Sequence, residues 1–473
     1  MAGTFLGIEI AKRALMAHQR SLDVTSHNVG NANTPGYTRQ VGILQATPPI
    51  DAWPEGQVGT GVNVTQIRRM HDAFTQIQLL QEDSTLGYWE QIAGGVGQVE
   101  RFLMEPTESG IGQALDWFWE AWNELSKRPE SIPEREVVLE RARGVADAFR
   151  HTRQQLHELR VDLDRQIRVQ VDEVNTLADR IAQTNKEIAK VVRLGQQPND
   201  LMDKRDQLLR DLSQVVGFTI EDGRDGQINV RMGDHMLVDE DRAYVLQVVN
   251  VTQDGASGFV DPPLQAARVE WVADSQQLAQ PGSKLGAMVE LRDSRIVQWI
   301  KDLDALARDL ITAVNNLHND ASNPNTYDLN DNAGGDFFSG ASALDIGLAL
   351  TTPEEIAAAD ALGEPGNGNV AAAIAALANV DLPTLGMTPD ESVEALLARV
   401  GSLGQEAQVR VDSQEVLMNH LENQRAAVSG VSLDEELTNM LRFEHAYSAS
   451  SRVLTAVDSM LEQLITRTGR VGL

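Results

Sequence analysis

The stretch SLDEELTNMLRFEHAYSASSRVLTAVDSMLEQLIT, residues 432–466, sets the kind of fold to expect. Gly430 breaks whatever precedes it. Ser432 stands three residues before Glu435, the spacing of a capping box. Asp434, Glu435 and Glu436 then put negative charge at the positive end of the helix dipole. Apolar residues recur at sevens from there: Leu433, Met440, Tyr447, Leu454 and Leu461 in one series. Phe443, Val457 and Leu464 form a second series, with the polar Ser450 interrupting it. Such an a/d seam needs another helix to cover it. An ordinary amphipathic helix on a globular core satisfies the pattern. So does a terminal helix that docks on the chain's own start, on a sister subunit or on a chaperone.

The other end of the chain carries a second seam. Residues 5–26 read as an amphipathic helix in which Ile8, Leu15, Leu22 and Val29 repeat at seven, with Ala11 and Ala14 beside them. It stops in SHNVGNANTPGY, residues 26–37. Asparagine tolerates left-handed backbone and bonds its own main chain, and Pro-Gly makes a tight turn, so this reads as an ordered loop.

Between the seams the chain is mainly helical. Residues 71–102 form a helix with Phe74, Ile77, Ile92, Val96 and Val99 as its apolar stripe. In residues 115–125, Leu115, Phe118, Trp122 and Leu125 share one helical face, which points to core packing. Residues 135–192 carry the longest periodic run. Ala142, Phe149, Leu156 and Leu163 repeat at seven, and so do Ile167, Val174, Ile181 and Ile188, with a slip of four between the series. That slip is a stutter in a long coiled-coil-like helix. A further helix covers 201–215. Residues 217–281 change to short β-type runs, with Asp222-Gly223, Asp225-Gly226 and Asp254-Gly255 as turns. Helix returns from 282 to His318. An Asn-, Asp- and Gly-rich loop follows from 319 to 338, then a punctuated stretch with a short helix at 369–378, then helix again from 392 to 428.

Composition narrows the chemistry. The 473 residues carry a formal net charge of −29, which opposes nucleic acid and anionic membrane surfaces. There is no cysteine, so thiolate metal sites and cysteine nucleophiles are excluded. The N-terminus has no basic segment and its short apolar run is interrupted by Glu9, unlike a cleavable signal peptide. No phosphate loop, His-Glu-x-x-His or Gly-x-Ser-x-Gly pattern is present. Asp328, Asn330 and Asn332 alternate as calcium ligands do, but Gly334 comes one place late and Ser339 stands where a glutamate is needed, so a structured connector is expected. His318 beside that loop reads as a helix-terminal histidine facing carbonyls. No catalytic constellation and no cofactor is expected.

Several of these segments carry a resemblance. LDVTSHNVGNANTPGY, residues 22–37, is similar to the N-terminal signature of flagellar axial proteins, which usually have Asn where His27 stands. VSLDEEL at 431–437 and FEHAY at 443–447 resemble the matching C-terminal signature. NDLMDKRDQL at 199–208 and GSKLGAMVELRD at 282–293 resemble the hook-associated protein 1 branch of that family. The resemblance implies a structural protein that self-assembles through paired terminal helices at the junction of hook and filament. It implies an assembly interface at Ile8, Leu15, Leu22, Asn28, Asn31, Asn33, Thr34, Pro35, Gly36 and Tyr37, and at Leu433, Met440, Phe443, Tyr447, Leu454, Val457, Leu461 and Leu464. Asp203, Arg205 and Asp206 are expected as an ion-pair clamp where two helices and a loop meet.

The implied partners are hook protein, hook-associated protein 3, other copies of the chain and an export chaperone on the C-terminal helix. The implied location is extracellular, reached without a cleaved signal peptide. Five segments are expected: a terminal axial segment at 1–45, helical body at 46–216, an inserted antiparallel β domain at 217–281, helical body at 282–428 and a second terminal segment at 429–473. A hook or rod protein is the alternative, and the helical run at 135–215 speaks against it. A coiled-coil scaffold unrelated to flagella is opposed by the terminal signatures.

Overall fold

The computed structural model describes residues 2–52, 56–103, 110–278, 282–319 and 326–468. It opens with a 29-residue helix, Ala2–Gly30 (α1). A strand pair follows, Gln40–Ala46 (β1) with Val62–Arg69 (β4), enclosing a short hairpin of Ile50–Ala52 (β2) and Gly56–Val58 (β3). Four helices come next: Ala73–Leu103 (α2), Ile111–Lys127 (α3), Ile132–Arg193 (α4) and Asn199–Val215 (α5). The strands Thr219–Asp222 (β5), Ile228–Met232 (β6), His235–Asp239 (β7) and Arg242–Ala243 (β8) form one antiparallel sheet. Leu246–Gln253 (β9) and Leu264–Trp271 (β10) form a separate hairpin. Helices Lys284–Glu290 (α6) and Ile296–His318 (α7) are joined by a π-helical turn, Leu291–Arg295. A small pair, Phe338–Ser339 (β11) and Gly347–Leu348 (β12), precedes helices Asn369–Ala376 (α8), Pro389–Ser429 (α9) and Leu433–Thr468 (α10). The protein is mainly helical with small antiparallel sheets.

Two units divide the chain, each assembled from distant stretches. The first comprises Met1–Ser84, Val174–Val245 and Gln414–Leu473; the second comprises Thr85–Glu173 and Leu246–Ser413. The strands expected in one insert therefore fall into two sheets in different units. Turn chemistry explains the local pattern: Asp225 and Gly226 both adopt left-handed backbone, with φ of 51° and 76°.

The stutter in α4 is placed as its spacing requires. Ala142, Phe149, Leu156, Leu163, Ile167, Val174, Ile181 and Ile188 are all buried to within 1%. Helix α2 departs from its expected stripe. Ile92, Val96 and Val99 are buried, but Phe74 is 68% and Ile77 44% exposed, and Leu79 and Leu80 take the inner face in their place.

In the first unit, Asn185 of α4 donates from Nδ2 to the carbonyls of Ile228 (2.8 Å) and Glu240 (2.7 Å), tying the four-stranded sheet to the helix. In the second, Leu115, Phe118, Trp122 and Leu125 of α3 are fully buried. The rings of Phe118 and Trp122 pack on Phe337 at 6.0 and 5.2 Å between centroids. The π turn interrupts the helix expected from 282 to 318. Arg292 in this turn is 2% exposed and binds Asp164 Oδ1 at 2.7 Å and the Ala267 carbonyl at 3.1 Å. One extra residue in the turn is a common way for a helix to aim a functional or structural side chain. Asp328 turns its carboxylate inward: Oδ1 accepts from the N–H groups of Asn330 and Asn332, both at 2.8 Å. Residues 320–325 of that loop lie outside the described residues.

His318 closes α7 and is fully buried. The N–H of Ala357 donates to Nε2 at 2.8 Å, so the ring proton sits on Nδ1 and donates to the Gly335 carbonyl at 2.6 Å. Burial drives its pKa down to about 4. The unfolded chain, with an ordinary histidine near 6.5, binds that proton first. The neutral ring's contribution to stability is therefore complete above about pH 6.5 and is lost as pH falls toward 4. The shift corresponds to about 3 kcal/mol at most. Urea unfolding at pH 7 and pH 4.5 checks this: the wild type is expected to lose more stability between the two than His318→Gln does.

Candidate assembly site

The two terminal helices lie side by side in the first unit and run antiparallel. At one end, a Cβ placed on Gly7 would sit 3.6 Å from Val457 Cγ2. In the middle, the rings of His18 and Phe443 are 6.4 Å apart. At the other end, Asn28 Nδ2 donates to Glu436 Oε2 at 3.0 Å. The sheet β1–β4 packs on a second side of α1: a Cβ on Gly61, whose φ is 109°, would lie 3.5 Å from the Ile10 Cα. Arg13 donates to the Thr60 carbonyl at 3.3 Å on the same side.

These two neighbours explain which α1 residues are covered. Ala11, Ala17, Ser21, Val24, Thr25 and Asn28 are buried. Ile8, Leu15 and Leu22, the expected seam, are half-buried one step around the helix. Small residues at the contact let the helix backbones approach, and the larger ones flank them. On α10, Met440, Phe443, Leu454, Val457 and Leu461 are half-buried on the side facing α1, while Leu433 and Tyr447 are 48% and 39% exposed. At the level of Tyr447, Ala446 takes the inner position. The side chain of Leu464 lies outside those described.

A polar knot fastens the pair at the Asn28 end. Asn28 is 1% exposed and uses all its bonding capacity. Its Oδ1 accepts from the Gln40 N–H (2.9 Å) and the Tyr37 hydroxyl (2.8 Å), and its Nδ2 donates to the Gln40 carbonyl (2.8 Å) and to Glu436. The other oxygen of Glu436, a residue 2% exposed, accepts from Arg39 Nε at 2.8 Å. Arg39 also reaches Glu435 at 3.1 Å, and its N–H donates to the Ser429 carbonyl at 2.9 Å. The expected capping box is thus half formed. The Glu435 N–H stands 3.5 Å from Ser432 Oγ, but the Glu435 carboxylate goes to Arg39 instead of back to Ser432.

The asparagine loop is closed by its own side chains. Asn31 Nδ2 donates to the His27 carbonyl at 3.0 Å, and Thr34 Oγ1 to Asn31 Oδ1 at 3.2 Å. The Tyr37 hydroxyl, which donates to Asn28, accepts from His27 Nδ1 at 3.0 Å. Burial, reinforced by the negative field of Asp200, Asp203 and Glu436, raises the Tyr37 pKa well above its ordinary value and keeps it a donor. Gly36 has a φ of 77°, and a Cβ there would press on Gln207 Oε1 at 3.1 Å. Asn33, Thr34 and Pro35 are exposed.

Helix α5 supports the loop from behind. Gln40 Nε2 donates to Asp200 Oδ1 at 2.7 Å, and the Thr38 N–H donates to Asp203 Oδ2 at 3.0 Å. Asp203 and Asp206 pair with Arg69 of β4 at 2.9 and 2.5 Å. Burial raises the Asp203 pKa, outweighing the Thr38 N–H and Arg69 that pull it down. Burial also works against the Arg69 charge, but the two carboxylates prevail and raise its pKa. Arg205 is not part of this group. It donates to the Gly226 carbonyl at 2.7 Å and to Asn185 Oδ1 at 3.2 Å, fastening the four-stranded sheet. Sequence spacing put three charges on one short segment, but helix geometry turns Arg205 to another side.

Arg39, Gln40, Arg69 and Glu436 were not read from sequence as site residues. Glu436 had a signal: it lies seven before Phe443, a charge at a seam position. Arg69 had none, because its partners are 134 and 137 residues away.

The family described as flagellar hook-associated protein FlgK helical domain matches residues 96–338. The C-terminal family of flagellar basal body rod FlgEFG proteins matches 411–467, and the flagella basal body rod protein family matches 8–38. Flagellar hook-associated protein 1 of Bacillus subtilis (strain 168) is 29% identical over 520 residues, covering 100% of both chains. Its namesake in Escherichia coli (strain K12) is 25% identical over 559 residues, covering 97% of this chain and 99% of that one. Among solved structures, the flagellar hook junction protein FlgK from Burkholderia pseudomallei matches with a TM-score of 0.65 and 14% identity, over 74% of this chain and 100% of that one. That likeness concerns the fold.

The Asn28–Glu436 bond has a double-mutant test. Asn28→Ala leaves the Gln40 amide and the buried Glu436 carboxylate short of partners, at an expected cost of about 2–4 kcal/mol. Asn28→Asp is expected to be worse, because it removes both donors and sets a second carboxylate against Glu436. Adding Glu436→Gln restores a donor and is expected to recover part of the loss. Amide exchange of α1 and α10 in the wild type, Asn28→Asp, Glu436→Gln and the double variant measures the coupling.

Proposed function

The chain belongs to the flagellar hook-associated protein FlgK family, and on that premise we propose that the antiparallel pair α1–α10 is the surface by which it is built into the flagellum. The protein is a structural, non-enzymatic component of the junction between hook and filament, and it assembles with other flagellar components. One observation carries the proposed surface. The pair is locked at its Asn28 end, yet α10 leaves Leu433, Leu437 and Leu441 48%, 50% and 57% exposed, at successive i, i+4 positions. Phe5 and Met16 of α1 are 66% and 54% exposed. Contiguous exposed apolar residues on a rigid element mark a contact surface.

On this reading the interface residues take two roles. Met440, Phe443, Leu454, Val457 and Leu461, with Ile8, Leu15 and Leu22 at the flank, hold the pair together. Leu433 and Tyr447, with Asn33, Thr34 and Pro35 of the loop, face neighbours. Those neighbours are copies of the chain, hook protein on one side and hook-associated protein 3 on the other. Before export to the cell exterior, a chaperone covers α10. Segments 1–45 and 429–473 form the axial part in this scheme, and 46–216, 217–281 and 282–428 form the remainder.

The test is complementation of a deletion strain, read by electron microscopy. A Leu437→Glu/Leu441→Glu protein is expected to be exported and folded but to leave hooks without filaments, with filament subunits lost to the medium. Wild-type filament number with this variant would overturn the assignment. Truncation after Gly430 is expected to abolish chaperone binding and incorporation while the four-stranded sheet stays folded by circular dichroism.

A further inference from the structure

The outer face of α1 and the first turns of α10 carry free charges of opposite sign. On α1, Lys12, Met16 and Arg20 stand at successive i, i+4 positions. All three are exposed and lie away from the buried side of Ala11, Ala17, Ser21 and Val24. On α10, the exposed ridge of Leu433, Leu437 and Leu441 has the same spacing, with the exposed Asp434 and Glu444 toward its two ends. Other charges of the two segments are already engaged. Arg13 holds Glu9 at 3.1 Å, and Arg39 holds Glu435 and Glu436 at 3.1 and 2.7 Å. Arg442 lies over the ring of Phe443 at 5.0 Å. Among the described residues, the side chains of Lys12, Arg20, Asp434 and Glu444 have neither an ion pair nor a hydrogen bond. Asp23 follows Arg20 by one turn and leaves the α1 face with a net positive charge.

Two copies of a chain with a net charge of −29 repel each other. Contact between them is favoured where free cations of one meet free carboxylates of the other, and disfavoured where carboxylates meet. The dimensions of the two faces agree. Lys12 and Arg20 are about 12 Å apart along α1, and Asp434 and Glu444 about 15 Å apart along α10. Met16, central to the first face, then comes level with Leu437 and Leu441, central to the second, whichever way the helices run. Ridges of i, i+4 residues on two helices interdigitate in this manner. The two faces differ from each other, so a contact between them is head-to-tail, and each copy keeps one face free for the next.

We propose that the outer face of α1 is covered by the first three turns of α10 from a second copy of this chain. Met16 sits between Leu437 and Leu441 of that copy, and Lys12 and Arg20 meet its Asp434 and Glu444. The inference rests on the assembly reading of the terminal helices and names the partner of that surface.

The chain has no cysteine, so Met16→Cys/Leu437→Cys gives a clean test in flagella isolated from the complemented deletion strain. Within one chain the two positions cannot join. Asn28 bonds Glu436, which puts Leu437 about 16 Å along α1 from Met16, well beyond disulfide reach. Oxidation is expected to give a reducible ladder of dimers and larger multimers, and neither single variant is expected to give one. Lys12→Glu/Arg20→Glu is expected to lower the number of filaments per cell about tenfold, and Asp434→Lys/Glu444→Lys to do the same. One chain carrying all four changes, or the two variants expressed together, is expected to restore filaments, because each contact again joins opposite charges. The four side chains have no partner within the chain, so the melting temperature is expected to stay as in the wild type. Absence of the ladder, wild-type filament number in either reversal, or no recovery in both rescues would each overturn the pairing. The Leu437→Glu/Leu441→Glu protein separates the two levels: wild-type filament number there overturns the assembly reading itself, whereas loss of filaments there without a ladder overturns this pairing alone.

Discussion

A carboxylate taken almost wholly out of water must be neutralised and fully hydrogen-bonded, or the helix that carries it will not dock. Glu436 is in that position, and what it finds is supplied by the opposite end of the chain: the amide of Asn28 and the guanidinium of Arg39. Asn28 can serve because it is an amide. Two donors and two acceptors are required at once, and no other side chain of that size offers both. The bond closes a separation of 408 residues and fixes which turn of α1 faces which turn of α10. The rest of the contact between the two helices involves small and half-buried residues, which would tolerate sliding. The knot is therefore where register is set, as a buried polar residue sets it in a coiled coil.

The support behind the knot follows the same logic. Tyr37 ends the loop and Thr38 and Gln40 follow it, and each bonds to Asn28 or to α5, Gln40 to both. Asp203 and Asp206 are held in a low-dielectric setting only because Arg69 of the neighbouring strand pair lies against both. A chain that must pair its ends reproducibly gains from this arrangement. The loop cannot shift without unmaking bonds to α1, α5 and α10 together. Apolar side chains that the pair leaves uncovered on α10 then stand at defined positions for a neighbouring subunit.

The second unit solves burial of charge in another way. Arg292 is brought inward by the π turn and met by Asp164 and by the Ala267 backbone, which also closes one edge of the β9–β10 hairpin. His318 is kept neutral by burial, and two backbone groups fix its tautomer. In both cases a polar group terminates or bends a helix at a place where main-chain groups need partners. Helix α4 and the π turn together close the β10 edge of that hairpin.

By itself the sequence determined the elements whose signal is periodic and local. The stutter at Leu163 and Ile167 was legible because a slip of four keeps both heptad series on one helical face, and all eight residues are buried. The aromatic face of α3, the Asp-Gly turns and the terminal seams were legible for the same reason: neighbours within a few residues decide them. The asparagine loop was legible as an ordered turn, though not the four partners of Asn28. Only the tertiary structure decided where two covering surfaces meet on one helix. Periodicity gives a stripe but not its neighbours, so it could not show that α1 is packed by both α10 and the β1–β4 sheet, leaving Ile8, Leu15 and Leu22 at the flank. It could not separate Arg205 from Asp203 and Asp206, or supply Arg69, because ion pairs across more than a hundred residues leave no local trace. Whether a strand edge is closed depends on helices far away in the chain, as Asp164, Arg168 and Arg292 close that of β10.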